Sequence, residues 1–173
     1  MAQKEESLTH RVSASYQNLS AAATELNTLS DELGNLVQAL DAALKKLNLG
    51  IASWIRLEGR EDGSGNYSKR DLGYAKVGNR WGIALRVFNG NHHAPDESTV
   101  EEWLFNDAPR ALRIEAVERL PDLFEHLGKE AETAAKQIKG KTERARQLAT
   151  ALGEAAPSAK APEPAPFPYK PFE

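Results

Sequence analysis

The chain has 173 residues, 40% of them hydrophobic and 27% charged, a balance typical of a folded globular protein and not of a disordered one. A net charge of −3 excludes a general affinity of the whole chain for polyanions, and the absence of cysteine excludes disulfides and thiol chemistry. No apolar run is as long as a membrane span or the core of a signal peptide, so we expect a cytoplasmic protein with no membrane partner.

The first predicted element is a long helix over residues 1–48. Apolar residues recur every seven positions, and we assign this series to heptad position a: Val12, Leu19, Leu26, Leu33, Leu40 and Leu47. Position d holds a second series: Leu8, Ser15, Ala22, Leu29, Leu36 and Ala43. A period of 3.5 sustained over this length is typical of a helix wound against another helix.

A second heptad repeat runs from Val117 to Leu152 and predicts a partner helix within residues 109–154. If Leu47 lies beside Val117 in an antiparallel pair, large side chains of one helix face small side chains of the other. Pro109 indicates a helix start in this segment, and Pro121 indicates either a kink or a restart, because a proline in the helix interior loses a hydrogen bond and clashes with the preceding turn. The sequence therefore predicts an α+β fold built on a long antiparallel helical hairpin, a coiled-coil stalk.

The apolar stripe of the first helix is wider than a two-helix seam requires. Position e is also largely apolar, at Tyr16, Ala23, Val37 and Leu44. Because a third or fourth helix can pack on a wider apolar stripe, we predict that these four residues form an oligomer interface. A homodimer is the expected assembly.

Residues 49–108 are predicted to form a β-meander module at the tip of the stalk. Alternating apolar residues indicate three antiparallel strands, the last two joined at Gly78 and Asn79 so that residue 77 pairs with 80 and residue 74 with 83. This register collects a core on one face: Leu72, Tyr74, Trp81, Ile83, Leu85 and Val87. Ser98 with Glu101 resembles a capping box, which predicts a short helix carrying Trp103.

The opposite face of the predicted sheet combines small residues with Arg80 and Arg86, and also with Trp54 and Arg56 if these side chains of the first strand point the same way. Aromatic planes beside arginines can stack on bases and contact phosphates, so one interpretation is a nucleic-acid or anion-binding surface. The other is that the indole covers strand glycines while the arginines keep the sheet soluble. We favour the second interpretation, since no nucleic-acid-binding motif accompanies the patch.

We assign no catalytic residue, metal ligand or cofactor. His92 and His93 are adjacent and lie in a proline-containing loop, which lacks the spacing that two helical ligands require. The four histidines match no nucleophile or metallohydrolase pattern, so we do not expect an enzyme.

Residues 155–173 are rich in proline and predict an extended tail. The whole pattern leads to the hypothesis of a structural or adaptor protein that self-associates through its heptad helices and holds a protein partner. Nucleic-acid or anion binding through the sheet is the alternative.

Overall fold

The computed structural model describes residues 2–155. In chain order it contains helix α1 (Ala2–Leu47), strands β1 (Ser53–Glu61), β2 (Asn66–Val77), β3 (Arg80–Asn91) and β4 (Ala94–Leu104), and helices α2 (Arg110–Val117) and α3 (Leu120–Ala155). A turn of 3-10 helix, Phe105–Asp107, joins β4 to α2. The chain divides into two compact units, residues 1–132 and 133–173. The predicted tail lies outside the described residues apart from Ala155.

The four strands form one antiparallel sheet in the order β1-β2-β3-β4. The predicted register of the central hairpin is confirmed, since Val77 pairs with Arg80 and Tyr74 with Ile83. Gly78 occupies the turn with a φ of 58°, a conformation that residues with a Cβ rarely adopt. A bulge after Arg56 shifts the pairing of β1 with β2 by one residue.

The prediction of three strands was wrong, because the segment predicted to hold a capped helix is the fourth strand. β4 pairs with β3 through Glu101 opposite Val87 and Trp103 opposite Leu85. Thr99, Val100 and Trp103 in this segment are residue types that favour a pleated conformation. Pairing with the open edge of β3 satisfies far more backbone groups than one helix cap would. His92 and His93 form the tight turn of this second hairpin.

One face of the sheet carries the hydrophobic core. Leu72, Tyr74, Ile83 and Leu85 are buried there, as their alternation predicts. The same core contains side chains of the last two helices: Leu112, Ala116, Leu120, Leu123 and Leu127. Burial raises the pKa of the Tyr74 phenol, and the negative charge of Asp41 raises it further.

The C-terminal half of α1 also belongs to this core, through a face that differs from the leucine series. Val37 is 2% exposed and Leu44 is 3% exposed. Between them, Asp41 accepts a hydrogen bond from the backbone N–H of Ile83 over 2.8 Å. The last pair that β4 makes with β3 is Leu104 with Ala84, so Asp41 occupies the sheet edge just beyond the end of β4.

The prediction of a helical hairpin with a coiled-coil stalk was also wrong. Leu47, expected to lie beside Val117 where the two helices would begin to pair, is 64% exposed. Leu26 and Leu36 in the first predicted seam are exposed, and so are Ile138 and Leu148 in the second. A zipped hairpin would have buried these side chains. The first turns of α3 instead pack on the sheet through Leu120, Leu123 and Leu127, which removes them from any seam.

The helix start predicted at Pro109 is confirmed, and at Pro121 the structure has a restart and not a kink. Pro109 is the N-cap of α2, whose first residue is Arg110. α3 starts at Leu120, with Pro121 in its first turn, where no backbone N–H is required. Arg70 fixes α2 against the sheet, because its guanidinium forms ion pairs with Glu58 of β1, at 2.7 Å, and with Glu115 of α2.

Replacing Leu44 with alanine tests which face of α1 the sheet buries. We expect Leu44→Ala to lower the free energy of unfolding by about 2–5 kcal/mol, because it leaves a cavity in the core. The matched control is Leu47→Ala, one turn away on the same helix and exposed, which should change it by no more than about 0.5 kcal/mol. Urea denaturation measures both, and equal losses would contradict this packing.

Candidate functional site

An exposed stripe of large apolar side chains runs along α1 and is the most prominent surface of the described chain. We call it the leucine ladder, and each of its members is at least 40% exposed: Leu8, Val12, Leu19, Leu26, Leu29, Leu36, Leu40 and Leu47. All lie at heptad positions a and d. At 1.5 Å per residue the ladder is roughly 60 Å long. A continuous apolar surface of this extent marks an interaction site in a folded protein.

The surroundings of the ladder change along the helix. From residue 8 to residue 29 every side chain is exposed, and near the end of this stretch the Asn27 side-chain oxygen accepts a hydrogen bond from Arg110 of α2 over 2.9 Å. Further along, polar contacts fix one flank of α1 to α2 and to the turn before it. Arg113 donates to the Ser30 hydroxyl at 3.1 Å, and the Asn106 amide donates to the Gly34 carbonyl at 3.2 Å.

The structure divides the four residues predicted to form an oligomer interface into two pairs. Tyr16 and Ala23 are exposed in the half of α1 that has no neighbour. Val37 and Leu44 lie in the core, where the sheet accounts for their apolar character. The apolar e positions therefore have two different surroundings, and only the first pair is available to a second molecule.

The outer face of the sheet, opposite the core, is organised around one buried carboxylate. The Asp71 side chain is 3% exposed and forms ion pairs with Arg56 and with Arg86, the latter at 2.9 Å. The pairings of the strands place Arg56, Asp71, Arg86 and Glu102 in one row across the sheet, with alternating charge. Two of the arginines predicted to bind anions are thus held by an internal anion.

The aromatic residues of the outer face are also engaged within the chain. The Trp54 ring lies on Gly73, where a Cβ would be only 2.3 Å from the ring. The guanidinium of Arg86 lies 3.9 Å from the centre of the Trp54 ring and 4.8 Å from that of Phe88. Stacking of this kind stabilises an exposed sheet face but occupies the aromatic plane that a base would need.

Arg80, the remaining predicted anion ligand, lies apart from this cluster. Its guanidinium pairs with Asp107 at 3.0 Å, and both side chains are largely exposed. An exposed pair of this kind contributes little to stability but reduces the positive potential around Arg80. The four predicted binding residues therefore form no single basic site: Trp54, Arg56 and Arg86 cluster around Asp71, and Arg80 pairs elsewhere.

An open groove of about 670 Å³ lies at the loop end of the sheet. Its polar groups bond mainly to one another: Asp62 accepts hydrogen bonds from the backbone N–H groups of Ser64 and Asn66. The hydrogen bond from the Asn66 side chain, followed by the one from its backbone, lowers the pKa of the Asp62 carboxyl. These contacts shape the loop between β1 and β2 and engage the Asp62 carboxylate within it.

Within residues 2–155, no cluster of three or more histidine or carboxylate side chains could hold a metal ion. None of the helices in that described part is both long and apolar enough to span a bilayer. No protein-family model, curated protein or solved structure matches the chain.

Asp71 is the residue of the outer face that sequence reasoning overlooked. The signal was present in the predicted register, because a turn that pairs residue 77 with 80 also pairs Asp71 with Arg86. A carboxylate directly opposite an arginine on one face of a sheet indicates an ion pair. Its burial depends on Arg56 and therefore on the pairing of β1, which the sequence pattern left open.

Replacing Asp71 with asparagine tests whether this carboxylate organises the outer face. We expect Asp71→Asn to lower the free energy of unfolding by about 1–3 kcal/mol, since two charge-assisted hydrogen bonds lose their anionic acceptor. Glu102→Gln, in the same row but exposed, should leave stability nearly unchanged. Thermal unfolding of both variants at neutral pH measures the difference, and equal effects would contradict the role of Asp71.

Proposed function

We propose that this chain is a structural protein that self-associates through the leucine ladder of α1 and presents its sheet-containing body as an attached module. The observation that carries the proposal is that α1 has two apolar faces. One face is buried in the core through Val37 and Leu44, and the other, the ladder, is exposed along the helix. No reaction is part of this proposal.

The composition of residues 8–29 supports a requirement for a partner. This stretch contains seven serine, threonine or asparagine residues after position 12 and has no glycine or proline, so its helix propensity is modest. Helices in water are maintained mainly by packing of an apolar face, and the large apolar side chains of this stretch are exposed. Pairing of the ladder supplies the packing that the helix needs.

The chemistry of the stretch favours a second protein helix over a membrane. Helices that lie on membranes carry lysine and arginine along their polar face. Residues 8–29 contain a single arginine, Arg11, and no lysine. Leucines repeating at 3.5 residues match the seam of a coiled coil, and a second copy of the same chain offers an identical seam.

The anion-binding alternative has less support. Its arginines are paired with Asp71 and Asp107 over short distances, and Arg86 covers the ring of Trp54. A nucleic acid would have to displace these internal contacts before it could gain its own. The ladder, by contrast, offers apolar side chains with no such contacts to lose.

Introducing charge into the ladder tests the proposal. We expect the wild-type chain to sediment as a dimer or larger assembly at micromolar concentration, and the double variant Leu19→Glu, Leu26→Glu to sediment as a monomer. The reason is that two carboxylates would have to be desolvated in the seam. Sedimentation equilibrium measures the mass directly.

The control places the same charges on the opposite side of the helix. Gln17→Glu with Thr24→Glu changes the net charge equally, at the same spacing, on heptad position f. This variant should assemble like the wild type. A monomeric wild-type chain at micromolar concentration, or equal disruption by both double variants, would rule out the ladder as the interface.

A further inference from the structure

We infer that two copies of α1 pair in antiparallel orientation, with Val12 of one copy opposite Leu29 of the other. This inference rests on the proposed function, since it specifies the geometry of the same interface. It follows from three features of α1: where the ladder has no neighbours, which side chains would meet across the seam, and where the few charges beside the seam are placed.

The first feature is the length of α1 that can accept a partner. The side chains of residues 8–26 are exposed, whereas from Asn27 onward one flank of the helix is attached to α2 or to the sheet. In a parallel, in-register pair, the attached flank of each copy would lie beside the partner helix along the C-terminal half. An antiparallel pair centred between Ser20 and Ala21 instead places most of the seam in the unattached half.

The second feature is the set of side chains that meet in this register. Leu33, which is partly buried against the core of its own chain, lies opposite Leu8 of the second copy, and Leu29 lies opposite Val12. Towards the centre, Leu26 lies opposite Ser15, and Leu19 opposite Ala22, so large residues meet small ones. Beside the seam Tyr16 meets Ala23, the two exposed residues of the predicted interface. Alternation of large and small side chains lets helices pack without voids.

The third feature decides between orientations. Residues at position g lie next to the seam and set the orientation of a coiled coil through their charges. In the proposed register Arg11 lies beside Glu32 of the second copy, and this pairing occurs twice by symmetry. In a parallel dimer Arg11 lies beside Tyr16 and Glu25 beside Ser30, so no opposite charges meet.

Other antiparallel registers are less favourable. A shift by one heptad towards longer overlap places Glu25 beside Glu25 of the second copy, and full overlap of the two ladders places Arg11 beside Lys46. A shift by one heptad towards shorter overlap places Arg11 beside Glu25 of the second copy but leaves Leu29 and Leu33 without a partner among residues 8–47. The proposed register combines opposite charges with coverage of the ladder from Leu8 to Leu29, and it leaves Leu36, Leu40 and Leu47 outside the seam.

The arrangement has a consequence for the assembly. The α+β bodies lie at the two ends of the paired helices, since each is attached to α1 beyond the central seam. At 1.5 Å per residue, the two Leu44 positions are roughly 70 Å apart along the common axis. The dimer is then a spacer that holds two identical sheet modules facing outward from its ends.

Single cysteines test this geometry cleanly, because the natural chain contains none. Val12→Cys and Leu29→Cys both replace exposed ladder residues, and one of the two chains carries a tag that makes it larger. After mixing under conditions that allow subunit exchange and mild oxidation, we expect disulfide-linked dimers that contain one chain of each size. Neither variant alone should cross-link, since equal residues lie about 25 Å apart in an antiparallel pair.

Cross-linked homodimers of each variant would establish a parallel pair and overturn the inference while leaving self-association intact. Absence of any cross-link in a mixture that sediments as a dimer would overturn the register. A mixture that sediments as monomers would remove the proposed function itself. Gln17→Cys mixed with Leu29→Cys is the matched control, because position 17 faces away from the seam, and it should give no cross-link.

A charge reversal provides a second readout that needs no cross-linking. Arg11→Glu should weaken the dimer several-fold, because each copy then presents a carboxylate beside Glu32 of the other. Combining it with Glu32→Arg should restore the wild-type dissociation constant. Equal weakening by the single and the double variant, measured by sedimentation equilibrium, would show that these two residues do not meet.

Discussion

The structure depends on how α1 is attached to the sheet. Val37 and Leu44 enter the core, and between them Asp41 accepts the backbone N–H of Ile83 just past the end of β4. These residues occupy heptad positions e and b, which fixes the rotation of the helix about its own axis. Once that rotation is set, Leu33 at position a packs partly against the core, while the residues of the leucine ladder remain exposed.

The outer face of the sheet and the leucine ladder differ in how far their side chains are engaged by contacts within the chain. On the outer face of the sheet, Asp71 balances Arg56 and Arg86, and Arg86 covers Trp54, so charges and aromatic planes are satisfied within the chain. The ladder has no comparable contacts within its compact unit. Apolar area exposed to water costs free energy on the order of 25 cal/mol per Å². The ladder is therefore the surface with the most to gain from association.

The sequence predicted the central hairpin well because its signals are local. Gly78 can adopt the turn conformation that a two-residue loop requires, and alternation then assigns Leu72, Tyr74, Ile83 and Leu85 to one face. The fourth strand was missed because Ser98 and Glu101 have the spacing of a helix cap. The open edge of β3 that decides the outcome is a tertiary feature, which no local pattern contains.

The heptad repeat illustrates a different limit. The spacing of the leucines indicated correctly that α1 carries a long apolar stripe, but it does not specify what covers the stripe. Val37 and Leu44 looked like an extension of that stripe, although the sheet buries them. Apolar residues at heptad positions a and e give the same wide apolar stripe in the sequence whether both positions pack on one neighbour or each packs on a different one. Only the attachment of the helix to the sheet separates them.

Amide hydrogen exchange of residues 8–29, followed at increasing protein concentration, tests the central claim most directly. An exposed helix of this composition opens readily, whereas a paired one exchanges only when the pair separates. The account predicts protection of these amides that rises with concentration, while the amides of β2 and β3 stay unchanged. Protection of residues 8–29 that is independent of concentration, or absent at every concentration, would contradict it.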